Sequence, residues 1–177
     1  MLGVPLTFSE LDLVFFDTTS IYFEGEGGQE LGRHGKSKDH RPDLKQMVVG
    51  MVLDLQGRPI CCELWPGNTA DVTSLVPVVR RMQRRFGVRK VTIVADRGMI
   101  SAQTIAALES RELDCDYILG ARMRSTAEVS ELVLRDRGRF REIQPERQRA
   151  KDPSPLKVKE VFVKDRRYVV CLNEEQR

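Results

Sequence analysis

Long apolar runs are missing: nothing approaches the roughly 20 residues needed to cross a bilayer. The opening "MLGVPLTFSELD" lacks a basic segment followed by an apolar one, so neither a membrane span nor a signal for export is expected. Cysteine is sparse. Cys61, Cys62, Cys115 and Cys171 form no CxxC pair, which argues against a zinc site and for free, buried thiols in a reducing cytoplasm. Cys61 and Cys62 are adjacent and would point to opposite faces of a strand. Histidine is limited to His34 and His40, both in a polar, glycine-rich stretch. Charge of one sign is also lacking, since the net is only +3, and total charge argues weakly for a polyanionic partner. There is no internal repeat and no low-complexity tract.

What is present is an ordinary globular composition, 41 % hydrophobic and 31 % charged over 177 residues. That length suits one good-sized domain, or a domain with an appendage. The basic residues are clustered. "RRMQRRFGVRK" carries Arg80, Arg81, Arg84, Arg85, Arg89 and Lys90 with no acid, "RHGKSKDHR" is basic at 33–41, and "ARMRS" adds Arg122 and Arg124. Such clusters suit a phosphate-binding face. A solvated helix face is the plainer reading of any one of them.

Residues 12–24, "DLVFFDTTSIYFE", form the first expected strand, and a long Gly-rich charged loop follows. Apolar runs at 46–53 and 59–65, joined at Leu55-Gln56-Gly57-Arg58, predict a hairpin. The period then changes. Val72, Leu75, Val76, Val79, Met82 and Phe86 recur at helical spacing, with Asp71 or Thr73 as a cap and Gly87 as a stop. "VTIVA" is a fourth strand that delivers Asp96. Ser101 caps a second helix with a stripe of Ile105, Ala106 and Leu108, and "CDYILGAR" is a fifth strand. Beyond residue 125 the chain is highly charged, with one short helix near 127–135 and a hairpin of 156–163 and 167–172. The helix-linked crossover makes strand four parallel to strand one, so their ends lie side by side.

Asp17 stands within the apolar "LVFFDTTSIYF", at what reads as a buried position where an uncompensated charge costs several kcal/mol or so. Asp96 ends strand four. Two aspartates brought together repel and raise one another's pKa, and a divalent cation with a preference for hard oxygen ligands removes that conflict. Paired metals clamp the attacking and leaving oxygens of a phosphodiester displacement. An aspartate that merely caps a strand end is the alternative.

"FFDTTSIYFE", "DLKQMVVGMVLDLQGRPICCELWPGNTAD" and "VTIVADRGMIS", in this order and spacing, resemble the catalytic core of bacterial insertion-sequence transposases. These belong to the RNase H-like DDE superfamily, and the likeness is closest to the IS-four branch. It runs from about residue 12 to 125 and, more loosely, to the end. The resemblance implies an α/β fold: an RNase H-like mixed sheet with flanking helices, incomplete over 1–125, then the start of a mostly β insertion at 126–177. It makes Asp17 and Asp96 the catalytic ligands of Mg²⁺ or Mn²⁺. Arg97 would face DNA, and Arg33, Lys36, Lys38 and Arg41 lie in a loop on the expected path of substrate DNA. Gly67 and Asn68, in "PGNTAD", are expected to be structural. The partners implied are transposon-end and target DNA, with a homodimer on paired ends, in a bacterial cytoplasm at the nucleoid.

One departure stands out. The family's third ligand is a glutamate in a pattern of Tyr, two residues, Arg, three residues, Glu, six residues, Lys. Glu128, Glu131, Glu142, Glu160, Glu174 and Glu175 all lack that context. The expectation is a transposase catalytic fragment that is weak or inactive alone. The rivals are a non-catalytic DNA-binding or regulatory remnant, another RNase H-like nuclease, and a metal-free structural domain.

Overall fold

β-branched and aromatic residues dominate Leu13–Tyr22 (β1), while Gln46–Leu53 (β2) and Pro59–Pro66 (β3) are largely apolar, and all three are strands. Further along come α1 (Leu75–Phe86), β4 (Thr92–Ala95), α2 (Ala102–Leu108), β5 (Asp116–Leu119), β6 (Arg141–Gln144), β7 (Leu156–Val163) and β8 (Arg166–Leu172). This computed structural model describes residues 13–36, 40–86, 91–113, 115–123, 126–145 and 154–176. The chain forms two compact units, Met1–Gly120 and Ala121–Arg177. No helix among the described residues is long and apolar enough to cross a membrane.

In the first unit the strands lie in the order β3-β2-β1-β4-β5. β1, β2 and β3 are antiparallel neighbours, whereas β4 runs parallel to β1 and β5 parallel to β4. One face of this sheet packs on the helices. Val14, Phe16, Val52, Ile93 and Ala95 bury against Leu75, Val78, Val79 and Met82 of α1 and Leu108 of α2. Ser101 caps α2 as expected, its side chain accepting the Thr104 N–H at 3.0 Å. The stripe of α2 differs: Thr104 and Leu108 are buried while Ala106 is exposed.

The opposite face is more open. Phe15, Ile21, Met51, Leu64 and Ile118 are each at least 40 % exposed. Asp17 belongs here. Strand alternation sets it on the side of Phe15 and Thr19, away from buried Phe16 and Thr18. The expectation of a buried Asp17 is therefore corrected: its carboxylate is exposed, and burial imposes no charge penalty on it. The cysteines are free, but only Cys61 and Cys115 are partly covered; Cys62 and Cys171 are exposed rather than buried. Cys61 and Cys62 do differ in exposure, as a strand requires.

The β2–β3 turn is held by a residue that periodicity does not reveal. Asp54 is buried, and its Oδ1 accepts the backbone N–H groups of Gln56 (2.9 Å) and Arg58 (2.8 Å), while Oδ2 takes Arg58 Nε at 2.7 Å. Gly57, at φ +75°, supplies the left-handed position. Desolvation pushes the Asp54 pKa up, but the Arg58 and Gln56 hydrogen bonds together outweigh it and leave the group below the usual carboxylate range. A depressed folded-state pKa contributes stability above the unfolded pKa and loses it as pH falls through the folded value. Asp54→Ala is accordingly expected to lower Tm by about 3 °C at pH 7. That deficit should shrink as pH falls below the unfolded-state value and through the depressed folded-state value, which melting curves at pH 7 and at strongly acid pH check.

The second unit is a three-stranded antiparallel sheet, β6-β7-β8. The expected hairpin is present and turns through Lys164 at φ +53°. The expected helix is a short π segment, Val129–Val133, whose buried Val129 and Val133 pack with Val161 and Tyr168. The sequence does not show β6, because Arg141 and Glu142 hide its strand character and lie exposed.

Candidate active site

The register of β1 on β4 decides the position of the two aspartates. Leu13 to Phe16 pair in order with Thr92 to Ala95. Asp17 is the next residue within β1 and Asp96 the residue just past the end of β4, where it keeps extended geometry (φ −74°, ψ 163°). Adjacent strands are about 4.8 Å apart, so the two residues sit side by side. Both are exposed.

The surroundings of each carboxylate differ. Asp17 Oδ1 accepts the N–H of Thr18 at 2.7 Å. Thr18 turns to the helical side, is 5 % exposed, and donates its Oγ1 hydroxyl to Asp71 Oδ1 at 2.8 Å. Asp71 opens the single turn Asp71–Thr73 that leads into α1, and its backbone carbonyl accepts the Ser74 hydroxyl at 2.7 Å. Asp96 precedes another single turn, Arg97–Met99, and makes no side-chain cap. Two glycines leave room around it. A Cβ on Gly120 would come 3.6 Å from Asp96 Oδ1, and one on Gly98 would come 4.0 Å from Asp96 Oδ2 and 3.6 Å from Asp71 Oδ2.

Exposed carboxylates on adjoining strands β1 and β4 offer the hard oxygen donors that Mg²⁺ or Mn²⁺ prefers. The donor set fits such an ion. Among the described residues no third His, Cys, Asp or Glu completes a group of three able to hold a metal. In the sequence Asp71 reads only as a helix cap. Its link to Thr18 spans 53 positions, which no local pattern displays.

The basic residues are distributed as follows. Arg97 is exposed directly after Asp96. Arg33 anchors the loop to β2 through a bridge with Gln46, and its guanidinium donates to the Gly32 carbonyl at 2.8 Å. Lys36 is exposed. Arg41 is paired with Asp43 by two bonds of 3.1 and 2.9 Å, and Asp43 holds the Arg41 pKa up. Lys38 lies outside the described residues. On α1, Arg80 pairs with Glu112 and Arg81 with Glu63, as a solvated helix face does. His34 faces the Pro42 carbonyl at 3.3 Å.

No curated protein sequence matches the chain. Among solved structures, a Mos1 transposase paired-end complex with left transposon end is similar at 19 % identity and TM-score 0.43, over 64 % of this chain and 37 % of that one. A piggyBac transposase synaptic complex with hairpin DNA is similar at 13 % identity and TM-score 0.46, over 82 % of this chain and 30 % of that one. The chain thus spans about a third of either protein. Residues 9–172 match the family described as the transposase DDE domain, and with nearly its whole length inside that match the chain belongs to the DDE transposase family.

Proposed function

We propose that the chain is the catalytic part of a DNA transposase of the IS-four type, with Asp17 and Asp96 as its first two metal ligands. The observation that carries this reading is the register of parallel β1 and β4, whose last pair, Phe16 and Ala95, is followed directly by Asp17 and Asp96. The parent reaction is hydrolysis of a strand at the transposon end, followed by attack of the freed 3′-OH on target DNA. A divalent ion held there supplies Lewis-acid activation of the phosphodiester and of the attacking oxygen. Asp17 and Asp96 provide the negative charge that retains it. Arg97 and Lys36 contribute cations to the backbone of DNA bound across the exposed strand ends, and paired transposon ends bring two copies together. With two carboxylates, the chain by itself nicks DNA weakly or not at all.

Duplex binding measured against salt tests the DNA reading. Affinity is expected to fall linearly on a log–log plot, and Arg97→Ala or Lys36→Ala should each flatten the slope by about one. Binding that ignores salt would remove DNA as the partner. Supercoiled plasmid in Mn²⁺ is expected to show no nicking above that of Asp17→Ala. A nicking rate that Asp17→Ala abolishes would show that two carboxylates suffice.

A further inference from the structure

Resting on the two-aspartate reading above, we infer that Asp71 is a positioning residue of the metal site, acting on Asp17 through the Thr18 hydroxyl. The chain of contacts is short. Asp71 Oδ1 accepts Thr18 Oγ1–H at 2.8 Å, and Thr18 N–H in turn donates to Asp17 Oδ1 at 2.7 Å. The residue that orients the Asp17 carboxylate is therefore itself tethered to Asp71. Thr18 is 5 % exposed, so its hydroxyl is removed from bulk water and its bond to a carboxylate is of the stronger, charge-assisted kind.

Asp71 is well placed to serve as a fixed point. The Ser74 N–H donates to its carbonyl at 3.1 Å and the Ser74 hydroxyl at 2.7 Å, which fastens it to the entry of α1. Its second oxygen faces the other aspartate's segment, 3.6 Å from where a Gly98 Cβ would stand. One side chain thus touches the residue after Asp17 and approaches the second residue after Asp96. This explains polar side chains in both "DTTS" and "NTAD", and it makes the start of α1 part of the site.

Outer partners of metal ligands are worth about 10–100-fold in metal affinity. Mn²⁺ binding to the whole chain, followed by loss of the free-ion electron paramagnetic resonance signal, gives the test. Thr18→Val and Asp71→Ala are each expected to weaken binding about tenfold. The double variant should be no weaker than the worse single one, because both break the same link. Thr18→Ser keeps the hydroxyl and Asp71→Asn keeps an acceptor oxygen, so both should bind close to wild type. Melting in EDTA reports folding separately, and near-isosteric Thr18→Val carries the test if Asp71→Ala does not fold.

Three results would overturn the inference. Thr18→Val and Asp71→Ala binding as wild type, while Asp17→Ala binds nothing, would refute positioning and leave the two-aspartate site standing. Asp71→Asn as damaged as Asp71→Ala would mean that Asp71 acts through its charge. Asp17→Ala and Asp96→Ala both binding as wild type would remove the underlying site, and the inference with it.

Discussion

Mn²⁺ at a hundred times its dissociation constant should raise the Tm of the wild-type chain by about 5–10 °C, and neither Asp17→Ala nor Asp96→Ala should show any rise. The size follows from linkage: a ligand bound only by the folded state at that excess stabilises it by about 2.7 kcal/mol. The sign of the effect without metal is the more discriminating part. Asp17 and Asp96 occupy adjoining positions on parallel strands, and like charges at that spacing destabilise the fold. Neither side chain is buried, so truncation leaves no cavity, although Asp17→Ala gives up the bond from the Thr18 N–H. Each alanine variant should therefore melt at or slightly above the wild-type temperature in EDTA, and below it in Mn²⁺. An aspartate that only caps a strand would give the opposite EDTA result, with no crossing. Calorimetric or circular-dichroism melts of the three proteins, with and without metal, separate the two cases.

The crossing matters because Asp17 is not the buried charge that its sequence context suggests. In the sequence Phe15 and Phe16 are both apolar, so neither parity of β1 declares itself the buried one, and Asp17 reads as a charge in a core. The structure buries Phe16 and leaves Phe15 42 % exposed, and Asp17 follows Phe15. What compensates Asp17 is then no longer a question of burial but of its neighbour Asp96. That neighbour was legible, because a strand, a helix and a second strand in succession force a parallel crossover. The β2–β3 hairpin was legible for a similar reason, with two apolar runs and a glycine turn close in sequence.

What was hidden has a common cause. Asp71 meets Thr18 only once α1 has packed behind the sheet, and no local periodicity records a meeting of residues so distant in sequence. β6 pairs with β7 through Arg141 and Glu142, whose charge masks strand character because both lie exposed. Asp54 looks like an ordinary turn former. Its burial, and its simultaneous hold on Gln56 and Arg58, appear only in three dimensions.

Gly67→Ala is expected to be the most damaging single-methyl change in the first unit, costing about 4 kcal/mol or more and lowering Tm by about 10 °C or more, if the chain folds at all. The site is a crossing of three backbone segments. The Gly67 N–H donates to the Leu31 carbonyl at 3.0 Å, and its own carbonyl accepts Gln46 Nε2 at 2.8 Å. Arg33 and Gln46 exchange two backbone hydrogen bonds of 3.0 Å beside it. A Cβ on Gly67 would run into the Gln46 carbonyl oxygen and stand 2.5 Å from that of Arg33. Both obstacles are main-chain atoms, so no rotamer change relieves the clash. Relief requires the loop carrying Arg33 to leave β2, which breaks the Arg33–Gln46 pair and uncovers buried Gln46. Gly57→Ala is the control. Its φ of +75° makes any side chain strained, yet nothing lies within 4 Å, so the cost is only about 1 kcal/mol. Because the same loop carries Arg33 and Lys36, Gly67→Ala should lose DNA affinity together with stability, while Gly57→Ala keeps it. Urea unfolding and DNA titration of both variants read the contrast; a Gly67→Ala chain as stable as Gly57→Ala would mean that the loop does not cross β2 and β3 in this way.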